Sequence, residues 1–146
     1  MIKIITINAQ QTYALRHSIL RPQHPLEACQ YPGDTASTTR HLGAFLKDQL
    51  VGICSTYIAT HPSLRKIDSV QLRAMATAES VRGLGVGQQL LAAAESYAQS
   101  QDSNLWANAR CSALGFYQQA GFSVIGDEFN IEGVGAHRLV VKRWLP

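Results

Sequence analysis

Arg82-Gly83-Leu84-Gly85-Val86-Gly87 is the stretch on which the reading of this sequence turns. It follows an alternating run, Ser69–Thr77, in which Val70, Leu72, Ala74 and Ala76 fall on one face of a strand and Gln71, Arg73 and Met75 on the other. It opens a second run, Val86–Ser100, where Val86, Leu90, Leu91, Ala94, Tyr97 and Ala98 recur at the helical period. Glycines between a strand and a helix permit positive φ and let the backbone approach a ligand closely. The unpaired amides at a helix N-terminus then suit an anion, and a phosphate or pyrophosphate is the natural guest. The turn is not a Walker loop, because Gln88-Gln89 stand where Lys-Ser/Thr would be needed. It also fails the GxGxxG dinucleotide fingerprint, whose third position falls on Gln88 counted from Gly83 and on Leu90 counted from Gly85.

Working outward, Ile2–Ile7 alternates as a first strand, and Asn8 offers a cap for a helix over Thr12–Leu20 with Tyr13, Leu15, Ile19 and Leu20 on its buried stripe. Arg21-Pro22 stops that helix. Gln23–Thr38 reads as a long loop with a turn of helix near Leu26–Cys29, and loops of that length in compact domains are usually functional or mobile. Strands over Thr39–Lys47 and Leu50–Thr60 flank a tight turn at Asp48-Gln49. Leu105–Asn108 is a further strand, and Ser112 caps a helix through Ala120 that Gly121 ends. Ser123–Ile131 and His137–Trp144 complete the set. This order predicts an α/β domain of α+β character, with a mixed sheet and helices on both faces.

The chain has 146 residues, which is the size of one domain, so residues 1–146 are read as a single unit. Hydrophobic residues make up 46% and charged residues 16%, a balance that excludes intrinsic disorder. Thirteen basic and ten acidic residues leave +3, and the basic ones are scattered, which argues against a nucleic-acid partner. No apolar run approaches the roughly 18 residues of a membrane span, so no membrane partner is expected. Cys29, Cys54 and Cys111 form neither CxxC nor a zinc pattern, which predicts free thiols, no metal and a reducing, cytoplasmic setting. The sequence leaves the oligomeric state open.

Three features carry a family resemblance: Arg82-x-x-Gly85-x-Gly87 between strand and helix, Phe116-Tyr117-x-x-x-Gly121-Phe122, and the element order. Together they resemble the GNAT superfamily of N-acetyltransferases. The resemblance implies a mostly antiparallel sheet splayed between its fourth and fifth strands, with acetyl-CoA in the gap. Met75, Ala76 and Thr77 would meet the cofactor from the strand, and Arg82, Gly83, Leu84, Gly85, Val86, Gly87 and Gln88 from the loop. A narrower resemblance, to the glyphosate N-acetyltransferase group, rests on Tyr13–Pro22, Pro25–Cys29, Gln71–Thr77, Leu105–Arg110 and Gly133–His137. It implies that Arg21, Arg73 and Arg110 hold the anionic groups of a small amine acceptor, with His137 as general base and Tyr117 as general acid. Two positions depart from the pattern. Glu79 stands where many members carry proline ahead of the loop arginine, and Ala136 stands where the narrower group carries proline before the histidine.

The residue types suit those roles. Acetyl transfer needs a neutral amine, and a histidine can take its proton near neutral pH. A strand amide near Met75 or Ala76 can receive the oxyanion, and a tyrosine hydroxyl can protonate the leaving thiolate. Guanidinium forks pair bidentately with carboxylate or phosphonate and repel polyamines and basic tails. No histidine lies close in sequence to Cys111, so direct transfer is expected rather than an acyl-enzyme. Two alternatives stay open. One is a GNAT enzyme acting on a peptide N-terminus, a lysine or an aminoglycoside, and the other is a non-catalytic acyl-CoA-binding regulator.

Overall fold

A computed structural model describes all residues, Met1–Pro146. Seven strands form one sheet: β1 (Ile2–Ile7), β2 (Arg40–Leu46), β3 (Gln49–Ile58), β4 (Val70–Thr77), β5 (Leu105–Arg110), β6 (Ser123–Ile131) and β7 (Gly135–Lys142). Their spatial order is β1-β2-β3-β4-β5-β7-β6. Every neighbouring pair is antiparallel except β4 and β5, which run parallel. Helix α1 (Ala9–Leu15) continues as a π-turn over Arg16–Leu20, α2 spans Val86–Ser100, and α3 is a short helix over Leu114–Gln119.

The parallel pair explains why the sheet opens. β4 and β5 pair only at Val70 with Leu105 and at Gln71 with Trp106. Beyond Gln71 the edge of β4 that faces β5 has no strand partner, so its backbone groups are free for something other than the ladder.

The larger core lies under α2. Val86, Leu90, Leu91, Ala94 and Ala98 are all buried against Leu42, Ala44, Cys54, Val70 and Leu72. Complete burial of side chains such as Leu90 and Leu91 stabilises the domain by about 1.5–3 kcal/mol each. Gly52 on β3 permits this approach, since a Cβ there would lie 2.8 Å from Val86. Tyr97 is only half-buried, and its hydroxyl donates to the Thr38 carbonyl at 3.2 Å. On the other face α1 begins with a capping box. Asn8 Oδ1 accepts from the Gln11 N–H, and Gln11 Oε1 accepts from the Asn8 N–H, both at 2.9 Å. Leu15, Ile19 and Leu20 pack on Ile7, Ile53 and Ala76. Buried Asp68 ties the far end together. It accepts from Asn104 Nδ2 at 2.8 Å and Arg143 Nη2 at 2.8 Å, while Asn104 Oδ1 takes the Trp144 and Leu145 N–H groups.

The structure corrects several local expectations. Alternation along β4 does not persist: Ser55 lies opposite Arg73 but Ile53 opposite Ala76, so Ala74 and Met75 together face Cys54 in a bulge, with Ala74 at φ 58°. The bulge reverses the pleat. Val70, Leu72 and Met75 serve the α2 core, and Ala76 joins the α1 side. The hairpin turn falls one residue earlier than expected, with Lys47 at φ 56° and Gln49 already in β3. Ser112 is not a cap. It lies inside a 3-10 turn over Cys111–Ala113, and α3 starts after Ala113 with no side-chain cap. Tyr13 is half-buried, whereas Thr12 and Arg16 are the fully buried residues of the first helix.

Candidate active site

The splay between β4 and β5 holds a cleft of about 300 Å³. Arg21, Arg73, Arg110, His137, Tyr117 and Met75, which come from separate parts of the sequence, all line it. Arg21 ends the first helix, Arg73 lies mid-way along β4, and Arg110 closes β5 with Nη2 donating to the Leu20 carbonyl at 3.4 Å. None of the three pairs with a carboxylate, and no Asp or Glu lines the cleft. Three unneutralised guanidinium groups in one concavity give it a field that favours anions.

Tyr31, in the long loop Gln23–Thr38, is the hub of this arrangement. Its ring centroid lies 4.8 Å from Arg73 Cζ, 5.5 Å from Arg21 Cζ and 4.3 Å from Arg16 Cζ. Cation–π contact with one aromatic ring holds together guanidinium groups that like-charge repulsion would scatter. Tyr31 is held in turn by a buried network. Arg16, fully buried, donates to Asp34 at 2.7 and 3.1 Å, to Ser55 Oγ at 3.0 Å, to Tyr57 Oη at 3.1 Å and to the Cys29 carbonyl at 2.9 Å. Asp34 also accepts from the Tyr57 hydroxyl at 2.6 Å and from the Tyr31 N–H at 2.8 Å. Burial works to raise the Asp34 carboxyl, but the Arg16 guanidinium and these donors hold it below its ordinary value. Burial and the Asp34 hydrogen bond push the Tyr57 phenol up to about 12. His41 on β2 is buried, bridging Ser55 Oγ at 2.7 Å and the Asp34 carbonyl at 2.8 Å. The legible signal was Tyr31-Pro32-Gly33-Asp34, a turn with an aromatic at its start.

His137 is 4% exposed, and its Nδ1 lies 2.7 Å from the Gly135 carbonyl. A carbonyl only accepts, so Nδ1 carries the hydrogen and the neutral ring presents its lone pair on Nε2. Phe129 stacks on the imidazole at 6.0 Å and 27°. Tyr117 on α3 is buried between Phe116 and Phe122, at 5.2 and 5.4 Å. Burial, with the neighbouring Cys54, pushes its phenol well up, so the hydroxyl keeps its proton through the neutral range.

Met75, Ala76 and Thr77 lie on the part of β4 that has lost its β5 partner. The loop Arg82–Gln88 turns at Gly83, φ 84°, and at Gly85, φ 80°, which is the left-handed N-cap of α2. The first helical bond runs from the Gln89 N–H to the Gly85 carbonyl at 3.1 Å, which leaves the Val86, Gly87 and Gln88 amides without helical partners. No acidic side chain lies in this first turn, so an anion meets no competitor there. The loop amides and the free β4 edge therefore fit a phosphate-bearing, extended cofactor arm. No group of three or more His, Cys, Asp or Glu side chains converges to hold a metal ion. No helix is long and apolar enough to cross a membrane.

Residues 5–142 match the family model described as the acetyltransferase (GNAT) domain. The chain belongs to the GNAT acetyltransferase family. It is 36% identical over 143 residues to the uncharacterized N-acetyltransferase YitI of Bacillus subtilis strain 168, covering 97% of this chain and 96% of that protein. Among solved structures, Escherichia coli ElaA superposes with a TM-score of 0.76 at 19% identity, over 98% of this chain and 100% of that one. An aminoglycoside 6'-N-acetyltransferase complexed with coenzyme A also superposes at 0.76, with 13% identity, over 99% of this chain and 98% of that one. These two structural matches establish the shared GNAT fold, with its seven-stranded mixed sheet and one parallel pair.

Proposed function

We propose that this GNAT protein transfers acetyl from acetyl-CoA directly to the amine of a small anionic acceptor, an acidic amino acid or an amino-phosphonate such as glyphosate. The observation that carries the reading is the company His137 keeps: three unpaired arginines and no carboxylate share its cleft. The resemblance to the glyphosate N-acetyltransferase group supports the same acceptor class. Acetyl-CoA, when bound, supplies the thioester carbonyl. The Arg82–Gln88 loop, through its free Val86, Gly87 and Gln88 amides, would hold its phosphates, and the free edge of β4 at Met75–Thr77 would hold its pantetheine arm and receive the developing oxyanion.

Arg21, Arg73 and Arg110 fix the anionic end of the acceptor, which removes orientational freedom before chemistry. His137 Nε2 takes the amine proton as the new C–N bond forms. The C–S bond then breaks, and the Tyr117 hydroxyl protonates the departing thiolate. Cys111 is a poor covalent alternative. Desolvation and the Glu128 carboxylate, to which its thiol donates at 3.5 Å, push that thiol up and away from the thiolate form.

The test is release of free thiol from acetyl-CoA across a panel of amino-phosphonates, acidic amino acids, polyamines and a basic peptide, with His137→Ala beside the wild type. Turnover confined to anionic amines, and lost by about 10²-fold or more in His137→Ala, is the expected result. Turnover mainly on polyamines or the peptide would overturn the acceptor class. Acetyl-CoA binding with no acetylation of any amine would favour a regulator.

A further inference from the structure

Asn108 on β5 has no role in the scheme above, yet its surroundings single it out. Five buried side-chain polar atoms lack a hydrogen-bond partner, and of these only Asn108 Oδ1 belongs to a residue lining the cleft. A second cavity, of about 240 Å³, adjoins it, and Asn108 is the one residue that borders both.

Register places this amide at the reacting centre. Asn108 pairs with Leu139 and Arg110 with His137, so Asn108, Arg110 and His137 share one face of β5 and β7. The parallel ladder ends at Gln71 opposite Trp106, and two residues further along each strand stand Arg73 and Asn108, facing each other across the opening gap. The arginines fill the cleft with hydrogen-bond donors, whereas an amine about to react offers N–H groups and needs acceptors. His137 Nε2 satisfies one of them. With no carboxylate in the lining, a second must find a neutral oxygen.

We infer that Asn108 is a positioning residue for the acceptor amine: its side-chain carbonyl accepts the amine N–H that His137 does not remove and thereby aims the nitrogen lone pair at the thioester. The amide torsion is soft, so the oxygen turns toward the cleft at little cost. A neutral acceptor at this point holds the amine without the charge that would keep it as an unreactive ammonium. The inference rests on the acetyl-transfer reading and on a primary amine, which keeps one N–H when His137 takes the other, but not on whether the acceptor is anionic.

The experiment compares wild type, Asn108→Leu and Asn108→Asp on whichever primary amine of the panel the wild type uses best. Measured are kcat and KM for both substrates and the pH dependence of kcat/KM. A shift of preference to polyamines in the wild type would thus sink the acceptor class while leaving this comparison decisive. Asn108→Leu keeps the shape and removes the acceptor, and is expected to lower kcat/KM for the amine about tenfold or more with KM for acetyl-CoA unchanged. Asn108→Asp keeps an oxygen but adds a charge that stabilises the ammonium. It is expected to retain turnover at high pH, with its rising limb displaced about half a unit or more toward alkaline pH. An Asn108→Leu enzyme within about twofold of wild type, or an Asn108→Asp profile superimposable on the wild-type one, would overturn the assignment.

Discussion

Arg110 on β5 lies directly opposite His137 on β7 in the antiparallel ladder. The residue proposed to hold the acceptor's anion and the residue proposed to take its proton are therefore one cross-strand pair apart, at a spacing set by the sheet rather than by loops. Side chains directly opposite each other on a sheet start about 4.5–5.5 Å apart. A cleft so built favours acceptors whose anionic group and amine are separated by few bonds. In a homologous series of amino-phosphonates, each added methylene between the two groups is expected to lower kcat/KM, by about tenfold or more after two additions. Steady-state kinetics on the series checks this, and a flat response would place the anion elsewhere.

Arg73 lies 4.8 Å from the Tyr31 centroid and 5.5 Å from that of Tyr57. Lysine at this position keeps the charge but loses the planar fork and the stacking. Arg73→Lys is expected to lower kcat/KM for an anionic amine by about 10–100-fold, the loss of one charge-assisted hydrogen bond, while acetyl-CoA binding persists. Calorimetric titration of acetyl-CoA beside the acceptor kinetics separates the two.

Much of this frame was readable in the chain. The glycine loop, the helix it opens and the order of strands point to a mixed sheet with helices on both faces because each depends on local pattern, whereas the splay was implied by the family resemblance. What escaped depended on distance. Arg16 sits where a helical stripe calls for an apolar residue, and only Asp34, 18 positions on, and Ser55 and Tyr57 on β3 make its burial tolerable. Nothing in the alternation of β4 announces that Ala74 adopts φ 58° and reverses the pleat. Arg21, Arg73 and Arg110 are grouped by the family resemblance rather than by any local pattern, and the sheet order is what brings all three to one cleft.

The Arg16–Asp34 pair makes a stability prediction. Asp34 titrates below its ordinary value in the folded protein, so near pH 4 the unfolded chain binds more protons than the folded one. The stabilisation is complete above the unfolded value of about 3.9 and is lost as pH falls through the lower folded value. Asp68, lowered despite its burial by Arg143 and Asn104, acts in the same direction. Asp34→Asn leaves a fully buried guanidinium without its counter-charge and is expected to cost about 3–5 kcal/mol at neutral pH. Urea unfolding across pH 3–7 checks both the loss and a shallower acid limb in the variant.

Gly85 caps α2 at φ 80°. Alanine there faces the left-handed penalty of about 1–2 kcal/mol and tilts the loop amides. Gly85→Ala is expected to lower stability by about that amount and to raise KM for acetyl-CoA, with KM for the acceptor unchanged. An increase confined to the acceptor's KM would detach this loop from cofactor binding.

A carboxylate-free cleft with three unpaired arginines is expected to select anionic amines for acetylation. The most direct measurement is the ratio of kcat/KM for a small amino-phosphonate to that for a polyamine of similar size, on the same wild-type preparation. The expected ratio is about 10² or more in favour of the amino-phosphonate, falling as salt is raised. A ratio near one, or preference for the polyamine, would contradict it.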